Sequence, residues 1–188
     1  MSVVHHRYVP WDIEVARLNF GANCGPSAFA AATGREVCRV MRYFAHFEHS
    51  PWTNLSQMKA ALLASGCIFE VHQRAFPRSG VALVQWLGPW TKPYFFSRWS
   101  LLHTHWIAVD GMWVFDHTIE KWQTVSQWSR TTAADFIAQI PSAHGWAIKY
   151  GIDVVSDNSG CRESTNIEGE GSGMSWQPEL SFSRSLSG

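Results

Sequence analysis

The sequence predicts an α+β protein in which N-terminal helices pack on a C-terminal antiparallel β-sheet. Up to Gly66, apolar side chains recur at helical spacing, with alanine-rich runs and helix-capping residues at their ends. After Gly66 the chain turns to short runs rich in β-branched and aromatic residues. Within those runs, Asp110-Gly111 stands between two apolar segments, the strongest short hairpin signal. Helical and strand patterns do not alternate, which argues against a βαβ layout.

Residues 1–18 read as an irregular lead-in with a short apolar pattern at Ile13, Val15 and Leu18. Pro26 fits the first turn of a helix, where a missing N–H costs nothing. The alanine-rich run Ser27 to Thr33 follows, and Gly34 can close it. A second helix is predicted over 36–47, with Val37, Val40, Met41 and Phe44 on one face. SPWTN is a loop, and Thr53 or Asn54 can cap a third helix, LSQMKAALLAS, ended by Gly66.

CIFEVHQRAF and VALVQWL then read as strands, and GPWTKPYFFSRWS as a long surface loop. Residues 102–109 and 112–117 form two more strands. TVSQWSRTTAADFIAQI is turn and short helix, and 146–155 is a last strand. The expected organisation is one domain over residues 1–155 and a disordered Ser/Gly-rich tail over 156–188, which has too few apolar groups to offset the entropy of ordering.

Composition excludes several function classes. Lys+Arg and Asp+Glu number 15 each, so no charge excess favours nucleic acid or an anionic membrane. No apolar run approaches the ~18 residues of a membrane span. MSVVHHRYVPWDIE has neither the basic start nor the apolar stretch of a signal peptide, so the expected location is cytoplasmic. Cys24, Cys38, Cys67 and Cys161 form no C-x-x-C pair; a zinc ribbon is not expected, and a reducing compartment argues against disulfides.

The hairpin HTHWIAVDGMWVFDHT carries the first chemical signal. A two-residue type I′ turn at Asp110-Gly111 predicts that Trp106 pairs Phe115 and His105 pairs Asp116. Opposed side chains share a face, so the carboxylate could bond one imidazole nitrogen and favour the imidazolium. The same register puts His103 on that face and His117 on the other. Both faces are otherwise apolar, which predicts a central place in the sheet. Taken alone, the pair reads equally as a satisfied core polar contact, and its placement depends on the turn type.

The second signal is Cys24, between Gly-Ala-Asn and the Gly-Pro-Ser start of a helix. A thiol there sees the positive end of the helix dipole, and a neighbouring histidine lowers its pKa further. Alone, Cys24 also reads as a small buried residue, as Cys38 and Cys67 do more firmly.

NCGPSAFAAATG, followed by HWIAV and then VFDH, resembles the papain-like cysteine peptidase superfamily, with the bacteriocin-leader peptidase type the nearest flavour. The likeness covers roughly residues 15–155. WTN, WLGPW and HTHW also resemble uncharacterised papain-like proteins of bacterial viruses, for which the host cytoplasm would be the location. The resemblance implies a catalytic triad: Cys24 as nucleophile, His105 as general base and acid, and Asp116 as orienting group. The expected activity is hydrolysis of a peptide, isopeptide or amide bond in a peptide or protein substrate, without a cofactor. One departure stands out. The superfamily places a glutamine six residues before the cysteine to complete an oxyanion hole, and this chain has Leu18 there. Asn19 and Asn23 are the amides that could substitute. A catalytically weak binding module engaging a host factor, or an acyl transferase or deamidase on the same triad, are the alternatives.

Trp86, Trp90 and Trp99 could line a substrate cleft, although tryptophan more often packs in a core or loop. His103 and His105 share a face at i, i+2, but no third ligand has a diagnostic spacing, so no metal site is expected. His5, His6, His46 and His49 read as surface residues. There is no P-loop and no G-x-G-x-x-G.

Overall fold

Asn23 starts the helix that carries the cysteine. Its backbone is extended and its side chain accepts a hydrogen bond from the Gly25 N–H at 3.2 Å, so α2 begins at Cys24 and runs Cys24–Thr33. Gly34, with φ of 69°, closes it. The helix therefore starts three residues earlier than its alanine-rich run indicates, and Cys24 lies within its first turn. These details come from a computed structural model that describes residues 7–44, 47, 50–92 and 102–155. The 156–188 tail, Trp99, His5, His6, His46, His49 and Cys161 lie outside the described residues.

The predicted lead-in contains a helix, α1, over Ile13–Phe20. Only Ile13 and Ala16 are buried, while Val15, Leu18 and Phe20 are exposed, so its apolar residues do not mark a core-facing stripe. The second predicted helix is shorter than expected: α3 spans Val37–Val40, followed by a 3-10 turn over Met41–Tyr43. All four residues expected on its inner face, Val37, Val40, Met41 and Phe44, are buried. Its start is capped from a distance. The Asp12 carboxylate accepts the Val37 N–H at 2.9 Å and the Cys38 N–H at 2.7 Å. Helix α4, Leu55–Ala64, starts with the reciprocal Asn54–Gln57 capping box.

Six strands follow: β1 Ile68–Gln73, β2 Ser79–Leu87, β3 Thr104–Asp110, β4 Trp113–Asp116, β5 Lys121–Thr124 and β6 Gly145–Val155. They form one antiparallel sheet in the order β1-β6-β2-β3-β4-β5. β5 was not expected, since KWQT is too short and polar to stand out. Two helices, α5 Val125–Arg130 and α6 Thr132–Gln139, occupy the stretch expected to be turn and short helix.

The sheet is covered on both sides. Val81, Leu83, Trp106, Ala108, Phe115 and Ile152 belong to one apolar core with residues of α1 to α4. Ala82, Val84, Ile107, Val109 and Val114 belong to a second, with Trp128 of α5 and Ala133 of α6. This sandwiching is why β2 and β3 read as continuous apolar runs.

The β3–β4 hairpin departs from its predicted register. Its loop is Gly111-Met112, one residue later than expected, with Asp110 opposite Trp113, Val109 opposite Val114 and Ala108 opposite Phe115. Gly111 has φ of 60°, as a turn with glycine at its first central position requires. The Gly111 N–H donates to the Arg78 carbonyl at 2.7 Å and the Met112 carbonyl accepts from the Val125 N–H at 2.8 Å, tying the turn to both flanks. Moving a loop of unchanged length by one residue shifts each rung by two. Every side chain therefore keeps its face. His105 and Asp116 remain on one face as diagonal neighbours, not opposite each other.

Among the described residues, Cys24 and Cys38 are free thiols. Among the described residues, no helix is long and apolar enough to cross a membrane.

Candidate active site

His105 and Cys24 belong to opposite layers. The His105 side chain shares a face with Ile107 and Val109, on the α5–α6 side, whereas α2 packs on the other side. The hairpin resolves this. β3 and β4 pair only from Ala108–Phe115 to the turn, and α2 contacts both strands. The N-terminus of α2 lies at the fork, where the Cys24 thiol couples to the His105 imidazole and to the Trp106 backbone N–H.

His105 Nε2 lies 3.1 Å from Asp116 Oδ2. The ring N–H axis does not point along that line, so the contact is an ion pair and not an aligned hydrogen bond. Nε2 faces the acid, which leaves Nδ1 for the thiol. The carboxylate is held from two further sides. Trp128 Nε1 donates to Oδ2 at 2.8 Å, and the Thr118 backbone N–H donates to Oδ1 at 2.9 Å. Trp86 and Phe136 wall the imidazole, with ring centroids 6.1 and 5.1 Å away.

Electrostatics follow from this burial. Burial alone disfavours the His105 imidazolium, but the Asp116 charge and then the Cys24 charge outweigh it and raise the pKa to about 10. Burial would likewise push the Asp116 carboxyl up. The His105 charge, with both imidazoles close by and the hydrogen bond from Trp128, holds it well below the usual carboxylate range. Burial also opposes ionisation of Cys24, yet the His105 charge and hydrogen bond, with the Trp106 N–H, lower its pKa overall. The group is therefore poised as a thiolate–imidazolium pair with an ionised acid behind it.

The thiol is half-buried and opens on a cavity of about 150 Å³. Asn23, Trp52, Thr53, Leu102, Thr104 and Trp106 are among its lining residues. A larger cavity of about 410 Å³ shares Trp52, Thr53, Leu102 and Thr104 with it and continues along Asn54 and Gln57. Loop 50–54 forms one wall and is fastened at two points. Asn23 Nδ2 donates to the Pro51 carbonyl at 2.6 Å, and Trp106 Nε1 donates to the Thr53 carbonyl at 2.6 Å. Thr53 also sits directly over Gly25. A Cβ on Gly25 would overlap Thr53 Oγ1 and come within 2.6 Å of its Cβ.

Several expected site residues lie elsewhere. Asn19 is exposed on α1 and does not line the cavity at Cys24, because the residues before Gly21 are wound into a helix of their own. Asn23 does line it, but one of its amide N–H groups is committed to Pro51. Trp86 is a core residue, 3% exposed and stacked against both His105 and Phe136, and lines neither cavity. Trp90 stacks on His103 with centroids 3.7 Å apart and donates to the Trp86 carbonyl, so it too is packed away from the cleft. The tryptophans that line the cavity at Cys24 are instead buried Trp106 and Trp52, the latter 60% exposed in the SPWTN loop, where a large apolar side chain among loop residues was the available signal. His117, expected on the reverse face, falls in the turn after β4, and its ring centroid is 5.4 Å from that of His105.

Neither a family model nor a curated protein matches this chain.

Proposed function

We propose that the protein is a papain-like thiol hydrolase that cleaves a peptide, isopeptide or side-chain amide bond through Cys24, His105 and Asp116. The observation that carries this reading is the meeting of the three side chains at one end of an open cleft, with the thiol pKa lowered and the acid ionised. The Cys24 thiolate attacks the carbonyl carbon, and the C=O pair moves to oxygen. The oxyanion is met by the Cys24 backbone N–H, which has no partner within the helix at its first position, and by the second N–H of Asn23. The His105 imidazolium gives its proton to the leaving amine as the C–N bond breaks, leaving a thioester. Neutral His105 then takes a proton from water, whose oxygen attacks the thioester and releases the acid and the thiolate. Asp116 holds the ring throughout.

The sparse oxyanion side favours a second reading: an acyl transferase or deamidase on the same triad, or a recognition module that keeps the fold with little catalysis. Incubation of wild type and Cys24→Ser with a diverse peptide library, read by mass spectrometry, separates these. Hydrolysis predicts new termini with wild type alone. Amine-dependent products or a gain of about 1 Da at glutamine or asparagine indicate the transferase or deamidase. Bound but unchanged peptide indicates the recognition module.

A further inference from the structure

The acid of the triad is met by two imidazoles, and the hydrolase reading uses only one. The ligating atoms of His105, Asp116 and His117 lie within 4.8 Å of one another. His105 Nε2 is 3.1 Å from Asp116 Oδ2, and His117 Nδ1 is 3.7 Å from Asp116 Oδ1. Both ring nitrogens are buried and neither has an aligned hydrogen-bond partner. The His105 side chain is only 6% exposed, so water does not satisfy it. Two unsatisfied imidazole nitrogens converging on one carboxylate form a ligand set.

We propose that His105, Asp116 and His117 bind one divalent transition-metal ion of the zinc type, and that the bound ion withdraws His105 from proton transfer. Two imidazoles and a carboxylate suit zinc or cobalt, whereas magnesium and calcium favour all-oxygen sites. Metal–ligand bonds of about 2.0–2.1 Å in a tetrahedral site put ligand atoms about 3.3 Å apart. The 3.1 Å separation at Oδ2 is close to that spacing, whereas the 3.7 Å separation is to the other oxygen, Oδ1; with one atom from each residue, the three ligand atoms lie within 4.8 Å of one another. Closing the remaining gap between the two rings asks for a small movement of His117, which sits on a turn and is 26% exposed. That exposure also gives the ion a way in and leaves a fourth position for water. Trp128 and Thr118 already orient the carboxylate, as supporting hydrogen bonds do in metal sites. His103, the partner that spacing suggested, is instead stacked on Trp90; the third ligand arrives through the turn after β4.

Protons balance simply. The ion replaces the proton on Nε2 of the His105 imidazolium, and that proton leaves to solvent. The other ring nitrogen keeps its proton toward Cys24, so the ring has no free lone pair and cannot act as a base. Only this consequence rests on the hydrolase reading; the site itself does not.

The test is therefore a binding measurement on a protein without the nucleophile. Co²⁺ titrated into Cys24→Ser should give visible ligand-field absorption saturating at one ion per chain, displaced by Zn²⁺. His117→Ala in the same background should weaken binding by at least about tenfold, as loss of even a supporting partner does, with an unchanged circular dichroism spectrum. Zn²⁺ should raise the melting temperature of Cys24→Ser and not that of the double variant. Absence of saturable Co²⁺ binding, binding that survives His117→Ala, or binding seen in wild type but lost in Cys24→Ser would each overturn the proposal; the last would place the ion on the thiol.

Discussion

His105 and Asp116 meet along a diagonal of the β3–β4 hairpin, with Nε2 3.1 Å from Oδ2, although the ladder between these strands ends before either residue. A diagonal pair needs side chains long enough to cross the gap, and imidazole and carboxylate are. The early end of the ladder also opens the fork through which Cys24, on the opposite layer, reaches the same imidazole.

The pair makes stability depend on pH in a predictable sense. The His105 pKa is raised in the fold, so its contribution is full below about pH 6.5, the ordinary histidine value, and is lost as pH rises toward about 10. The Asp116 pKa is lowered, so its contribution is present above about pH 3.9 and is lost on acidification. Thermal unfolding of Cys24→Ser, in which the thiol adds no slope of its own, should show a melting temperature that falls above neutrality. Asp116→Asn in that background should flatten the alkaline fall. An unchanged slope would show that the acid does not hold the imidazolium.

Gly25→Ala should destabilise the protein by about 1–3 kcal/mol, the usual cost of overpacking. The added Cβ meets Thr53, whose loop walls the cleft. Denaturant unfolding should show the loss, and Thr53→Gly should restore most of it. Additive losses in the double variant would mean that the contact is not the cause.

Trp106→Phe should cost about 1 kcal/mol or more, since it leaves the buried Thr53 carbonyl without its donor. The same change should speed proteolysis within residues 50–54 more than elsewhere, as measured by limited digestion. Uniform susceptibility would show that the bond does not fasten the cleft wall.

Asp12→Ala should cost about 1–2 kcal/mol, because two N–H groups at the start of α3 lose their acceptor. Urea unfolding measures it; a change under a few tenths would show that water replaces the cap.

The sequence revealed what depends on local pattern and left open what depends on closure in three dimensions. Gly34, Asn54 and Gly66 punctuate the helices by their own chemistry, and the Gly111 turn keeps His105 and Asp116 on one face whichever of two adjacent loops forms. The exact register was not legible, because Asp110-Gly111 and Gly111-Met112 both suit two-residue turns. The decision came from contacts with Arg78 and Val125, distant in sequence. The cap from Asp12 to α3 and the packing of Trp86 against His105 are equally non-local. Asn19 was misplaced because α1 hides few apolar residues and so gave no helical stripe.

Iodoacetamide alkylation of Cys24 and Cys38, followed by mass spectrometry across pH, tests the central claim most directly. Burial and the Asp12 carboxylate push the Cys38 thiol up to about 11, whereas the Cys24 thiol is lowered from its ordinary value. The Cys24 thiolate is therefore the more populated of the two near neutrality, which its lower intrinsic nucleophilicity offsets only in part. Cys24 should therefore react faster than Cys38 near neutrality, and His105→Ala should erase the advantage. Equal rates for the two thiols, or a Cys24 rate indifferent to His105, would contradict the account.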